Sequence, residues 1–441
     1  MKEFRMKNEK ATALIDFIAA SPTAFHAVHN IANELDASGF TRLEEGAVWS
    51  LEYGKGYYVT RNLSSIIAFR LPAAGFGSYR IVASHSDSPT FKLKTNFELD
   101  VRGKYTQLNT ERYGGTIIST WFDRPLSVAG RIITSDETGI RTHLADLGRD
   151  ALVIPNVAIH MNRDINDGFK YNAQVDTLPL FGDGAARGRL IKELADGAGI
   201  DAERIIGYDL FLYNRMRGTT FGPENEFICC PQLDDLECAF TSLKAFVAAE
   251  NPQSACVYYV SDNEEVGSGT KQGADSTFLS DVLERINISL GRTREQYFTA
   301  VASSLMLSAD NAHAVHPNHP EKTDATNCVF MNEGIVIKHN ANQKYTTDAV
   351  SAAMFQRICR SAGVPCQHFS NRSDMAGGST LGNISNAHVS LNTIDIGLAQ
   401  LAMHSCYETA GVRDIGYMTD GIRAFFESAL TADADGTYLD K

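Results

Sequence analysis

The sequence predicts an α/β protein whose central sheet is interrupted by an inserted β-rich domain. Three observations predict it. Short apolar runs rich in β-branched and aromatic residues, at 80–83, 255–260 and 305–307, each lead within a few positions to a histidine or an acid. Stretches with apolar residues at helical spacing lie between such runs. The region 90–230 differs from both its flanks, with many short β-like runs and glycine-rich turns, whereas the flanks read as strands of one sheet. In open α/β sheets ligands sit at the carboxyl edge of the strands, so the residues that end these runs are the candidates for chemistry.

The chain of 441 residues has room for two or three domains and a large buried core. Its hydrophobic content of 44% and charged content of 21% are those of a globular protein. A net charge of -13, from 40 basic and 53 acidic residues, argues against nucleic acid as a partner and favours cations. The N-terminal apolar segment is brief and broken by Asp16, and no run approaches a membrane span, so a cytoplasmic protein with no membrane contact is expected. The eight cysteines are scattered without a CxxC pair and read as buried thiols.

Residues 10–20 have helical spacing, and Ser21-Pro22 opens a second helix that stops near Ser38-Gly39. His26 and His29 on it read as surface or packing residues. Short alternating segments over 41–70 read as antiparallel strands. The run 80–83 leads into Ser84-His85-Ser86-Asp87, with Asp87 close enough in sequence to orient the second ring nitrogen of His85. Within the insert, 115–121, 126–134 and 151–160 read as strands, and His160 closes the last.

After the insert, Leu236, Ala239, Phe240, Leu243, Phe246 and Val247 make one helical face. Asp234 and Asp235 stand at its start, as caps or as metal ligands. The run 255–260 ends in SDNEEVGSG at 261–269. Two neighbouring carboxylates repel, which is tolerable when a metal holds one, Glu265, and the other, Glu264, handles a proton. A helix is expected near 281–290. The run 305–307 ends at Asp310, and His313, His316 and His319 follow in a segment that Pro317 and Pro320 make a pocket-lining loop. Lys338 ends a strand at 333–338, 350–362 reads as a helix, and 370–382 is a glycine-rich loop of the kind that shapes a site. Strands at 388–391 and 393–396 precede His404.

His85, Asp234, Glu265, Asp310 and His404 are thus five nitrogen and oxygen donors at predicted strand ends or helix starts. Two imidazoles with three carboxylates suit two borderline divalent ions that share one carboxylate. With Glu264 beside them, the natural chemistry is hydrolysis.

The segments SHSDSP at 84–89, YGGTIISTWFDRPLSVAGR at 113–131, QLDDLECAF at 232–240, DNEEVGS at 262–268, SADNAHAVHP at 308–317, GIVIK at 334–338 and QLAMHS at 400–405 span most of the chain. In that order they resemble the aspartyl aminopeptidases, a family of co-catalytic zinc metallopeptidases, in its bacterial form. The resemblance implies a three-layer α/β/α zinc-peptidase domain built from 1–89 and 231–441, with 90–230 as an inserted dimerisation domain. It implies two Zn2+ per subunit, replaceable by Mn2+ or Co2+, with His85 and Asp310 on one, Glu265 and His404 on the other, and Asp234 bridging. Glu264 becomes the general base that moves a proton from water to the leaving amine, and Asp87 the residue that orients His85. Substrate contacts are implied for Lys338, near the pocket for the first side chain, and for His160, which reaches a neighbouring subunit's site; His316 is expected to line the pocket. The implied activity is release of N-terminal residues, acidic ones above all, from peptides with a free N-terminus, by dimers that build a tetrahedral dodecamer.

The sequence departs from the family at Asp235, where Asn is frequent, at the loop 374–380, which lacks a common cysteine, and at Asn383, where Pro is frequent. These positions bear on selectivity. One alternative is a di-zinc carboxypeptidase or deacylase, but those relatives place their extra domain later, whereas here it lies between His85 and Asp234. Another is a non-catalytic, metal-stabilised assembly protein, against which the retention of Glu264 weighs.

Overall fold

The computed structural model describes residues 2–378, 380–432 and 438–440, so that Ser379 of the glycine-rich loop lies outside them. A nine-stranded sheet forms the main body. Its spatial order is Thr41–Leu43, Gly56–Arg61, Ser65–Arg70, Ser254–Ser261, Ser78–His85, Leu305–Ala309, Asn392–Gly397, Ile335–His339 and Cys366–Ser370. The four middle strands run parallel, with Ser261 in register with His85 and Ala309 with Ile396. Their carboxyl ends therefore share one edge, and everything that immediately follows them is delivered to the same place.

The middle strands are buried on both faces because helices cover both. Along Ser254–Ser261, Cys256, Tyr258 and Val260 enter one core, while Ala255, Val257 and Tyr259 enter the other, as the period of two requires. The first core packs the sheet against Ala24–Ala37, Leu233–Ala248, Ala349–Ser361 and Val412–Glu427. The second packs it against Phe278–Ser289 and Arg294–Ala302. The result is three layers, helix on sheet on helix, as expected.

A second, six-stranded antiparallel sheet draws all its strands from the region between Thr90 and Asn214. Phe91, Trp121, Val128, Leu210 and Leu212 fill its core with Leu190 and Leu194 of the helix Arg189–Ala198. Thr219–Phe221 and Phe227–Cys230 belong to neither sheet. They pair with Glu408–Gly411, Ala399–Leu401 and Ala312–His313 in a small third sheet.

Several local expectations are corrected. Residues 118–121 form a 3-10 turn and 151–160 make isolated bridges at Leu152, Val153 and Ile154 rather than a strand. Residues 388–391 are not a strand, because the Asn386 side chain accepts from the Leu391 amide at 2.9 Å and closes a local turn that apolar content does not reveal. Asp234 and Asp235 lie at the start of the helix Leu233–Ala248, but their backbone angles are not helical.

Phe246 is fully buried, and its ring meets Phe40, Tyr258 and Phe426 at centroid distances of 5.3 to 5.8 Å. Phe246→Ala is expected to cost about 3–5 kcal/mol through lost contacts and a cavity. The check is a lower denaturant or thermal midpoint, with the KM of the surviving enzyme unchanged.

Candidate active site

At the carboxyl edge, His85 ends its strand, Asp310 follows Ala309, and Glu264–Val266 forms a tight turn just beyond Ser261. Asp310 is held there by its amide, which donates to Ile396 O at 3.0 Å, and by the absence of a side chain at Gly397, where a Cβ would lie 1.9 Å from the Asp310 carbonyl. His404 comes from elsewhere. It sits in the connection between Ala399–Leu401 and Glu408–Gly411, with a φ of 67°, and reaches the edge through the third sheet.

These residues converge. Donor atoms of His85, Asp234, Asp235 and Asp310 lie within 4.8 Å of one another, as do those of Asp234, Glu265 and His404, and those of His85, Glu264 and Glu265. Asp234 joins the halves: its Oδ1 is 3.5 Å from His85 Nε2 and its Oδ2 is 3.3 Å from His404 Nε2. Glu265 also approaches His404 Nε2, at 3.4 Å.

The imidazoles are oriented by their other nitrogens. His85 Nδ1 faces the Asp87 carbonyl at 3.1 Å and His404 Nδ1 the Gly115 carbonyl at 3.2 Å. With Nδ1 so engaged, Nε2 of each ring is turned toward Asp234. The Asp87 carboxylate accepts from the amides of Glu264, at 3.1 Å, and Glu265, at 3.2 Å, and from the Tyr113 hydroxyl at 2.6 Å. It fixes the turn that carries both acids.

The cluster holds more carboxylates than cations. Burial drives the Glu265 carboxyl far above its usual range, with Asp234 adding repulsion, and raises Glu264 to about 8. Burial works the same way on Asp234, but His404 and His85 overcome it and hold that carboxyl low. Burial disfavours a charged His85, yet Asp235 and Asp234 raise it well above the ordinary range. Among the described residues, Asp234 Oδ1, which faces His85 Nε2, and Glu265 Oε1 are buried without a hydrogen-bond partner. Orphaned carboxylate oxygens that converge with two imidazoles are the donor set of a borderline divalent cation such as zinc.

Three expected substrate contacts lie outside the cluster. His160 is exposed on the loop between Leu152 and Leu180. His316 lies in the loop after Ala312–His313, where its Nδ1 accepts from the Asn318 amide at 3.2 Å and its ring faces His319. Lys338 is a correction to the expectation of a side chain open to substrate. It is fully buried, and its Nζ donates to the carbonyls of Asp310, at 2.8 Å, and Asn311, at 3.4 Å, with the Asp310 carboxylate 3.8 Å away.

Sequence reasoning missed Glu408. Its buried carboxylate accepts from the amides of Asp234, at 3.0 Å, and of His404, at 2.7 Å, so one side chain holds the backbones of two candidate ligands. Its place four residues after His404 was the available signal, but the contact to Asp234 is set by the third sheet.

This fold and site define a zinc-dependent hydrolase of the α/β peptidase type. The chain belongs to the M18 family, since the family model described as Aminopeptidase I zinc metalloprotease matches residues 17–426. It is 48% identical over 432 residues to a probable M18 family aminopeptidase 2 of Clostridium acetobutylicum, covering 96% of this chain and all of that one. Among solved structures, Ape4 in its complex with Nbr1 is similar at a TM-score of 0.93 and 35% identity, over 96% of this chain and 86% of that one. The mApe1 dodecamer of S. cerevisiae is similar at 0.84 and 29%, over 95% and 97%. This protein is a zinc metalloaminopeptidase.

Glu408→Gln replaces one acceptor oxygen by an amide that faces an N–H. Zinc affinity is expected to fall by roughly 10–100-fold, measured by chelator competition, while the thermal midpoint of the metal-free protein changes little.

Proposed function

We propose that the protein releases N-terminal residues from peptides, acidic residues preferentially, with two divalent ions held side by side and Glu264 as general base. The observation that carries the proposal is Asp234, whose two oxygens face two different histidines and so offer one lone pair to each of two metal positions. His85 and Asp310 serve one position and Glu265 and His404 the other. When bound there, two zinc ions, or manganese or cobalt in their place, lower the pKa of a shared water and polarise the scissile carbonyl. Glu264 takes the proton from the attacking water and gives it to the leaving amine. Its backbone amide is tied to Asp87, so the base is presented by a fixed turn.

The test is hydrolysis of aminoacyl substrates with acidic, aliphatic and basic first residues and an N-acetylated control, after chelation and metal return. Cleavage of free-amine substrates only, with acidic ones fastest and with a loss of several orders of magnitude in Glu264→Gln, is expected. Cleavage of the blocked control would instead mark a deacylase. Lys338 spends its donors on Asp310 and Asn311, so its assigned part is to position Asp310. Lys338→Met is expected to lower kcat/KM for Asp- and Leu-peptides alike; a loss confined to Asp-peptides would place the ammonium on the substrate.

The region 90–230 acts in this proposal as a dimerisation domain, and dimers assemble into a tetrahedral dodecamer in the cytoplasm. Val157, Ile159 and Met161, exposed on the same loop as His160, support an interface there. His160 then completes a neighbour's site and His316 lines the pocket entrance. His160→Ala is expected to reduce kcat by at least tenfold without changing zinc content or the sedimentation coefficient of the particle.

A further inference from the structure

The strand Tyr105–Tyr113 belongs to the six-stranded sheet, yet the residues at and after its end are built into the metal cluster of the other domain. The Tyr113 hydroxyl donates to Asp87 Oδ2 at 2.6 Å and accepts from Asn263 Nδ2 at 2.9 Å, so it braces the turn of Glu264 and Glu265 from below. Gly114 lies against that turn: a Cβ there would be 3.1 Å from Glu265 Cβ. The carbonyl of Gly115 receives His404 Nδ1, and a Cβ at Gly115 would lie 3.3 Å from that nitrogen. The Ile117 amide donates to the His404 carbonyl at 2.9 Å, and the Thr116 hydroxyl, itself bound by Trp121 Nε1 at 2.7 Å, points to the same carbonyl at 3.4 Å. His404 is thus gripped by ring and backbone from one short segment of the neighbouring sheet.

We propose that residues 113–117 are a positioning strap through which the inserted sheet sets the geometry of the metal cluster in its own subunit. Gly115 fixes the His404 ring so that Nε2 faces Asp234 and Glu265, and Tyr113, acting through Asp87, fixes the turn that presents Glu264. The inference rests on the two-metal proposal above. It adds that the inserted sheet is needed for metal binding within each subunit, apart from any part in assembly. Gly115 and Tyr113 act at different points of the cluster. Gly115 acts on the proposed ligand His404, where an added methyl, 3.3 Å from Nδ1, presses on the ring. Tyr113 acts on the turn that carries Glu264 and Glu265, where loss of the hydroxyl leaves the Asp87 carboxylate with its two backbone donors and no brace.

The experiment compares wild type, Gly115→Ala and Tyr113→Phe as full-length protein, stripped by a chelator and titrated with zinc against a competing indicator. Kinetics at saturating zinc and thermal midpoints of the stripped proteins are measured in parallel. Gly115→Ala is expected to weaken one of two zinc equivalents by roughly 10–100-fold and leave the other unchanged. Tyr113→Phe, which keeps the ring and its packing on Phe211, is expected to lower kcat by about tenfold or more at unchanged KM and unchanged midpoint. Two wild-type equivalents with wild-type titration and kcat in both variants would overturn the strap while leaving the two-metal site intact. Lower midpoints with unchanged zinc affinity and kcat would also overturn it, by showing a merely structural segment. A single equivalent in the wild type would overturn the two-metal proposal itself, and the strap's division of labour with it.

Discussion

The constraint on which this structure depends is the crowding of carboxylates at one buried sheet edge. Among the described residues, Asp234, Asp235, Glu264, Glu265 and Asp310 converge with His85 and His404, and Lys338 stands beside Asp310. Without a cation such a cluster costs stability, since buried like charges repel and each must be stripped of water. The surrounding protein softens that cost by supplying backbone amides. Asp87 takes those of Glu264 and Glu265, and Glu408 those of Asp234 and His404. These contacts fix where the acids stand but leave their charge to be met by metal. An arrangement so costly when empty is well placed for tight metal binding, because the binding energy includes relief of the repulsion.

The parallel middle of the sheet explains how ligands distant in sequence meet. Three strands in register bring His85, the 262–265 segment and Asp310 to one line, and the helix Leu233–Ala248 brings Asp234 over it. That part was legible in the residues. Each run is continuously apolar because both faces are covered, and each is followed by a polar residue that has no packing reason to be there. The α/β class could be read for the same reason, from apolar runs separated by helical stretches, whereas the three-layer arrangement came from the resemblance. The metal-ligand candidates were legible as types at strand ends, although their grouping came from resemblance and is seen in space only in the fold.

What was not legible depends on contacts between sheets. His404 reaches the cluster through the third sheet, whose strands come from 219–230, 312–313 and 399–411, too short to show periodicity. Glu408, Tyr113 and Gly115 act through backbone groups of other residues, and a backbone acceptor leaves no signature in a side-chain pattern. Lys338 was misplaced for a related reason. A lysine at a strand end reads as solvent-facing or substrate-facing, and only the fold shows that the strand end is covered and that the Asp310 carbonyl waits within 2.8 Å.

The two sheets are therefore coupled at a definite point. Interfaces between domains of one chain are commonly of the transient kind, so relative motion is the default expectation. Here the crossing at 86–90 passes Asp87 into the cluster, and the first hairpin of the insert returns to it through Tyr113, whose strand end pairs with Thr90. Whatever holds the insert rigid then holds the proposed base and one proposed metal ligand rigid as well. An interface that ordered the insert would lower the entropy lost when metal and peptide bind, with no need for that interface to touch either. Assembly and catalysis would then be linked through residues 113–117, even where the neighbouring subunit contributes no side chain to the site.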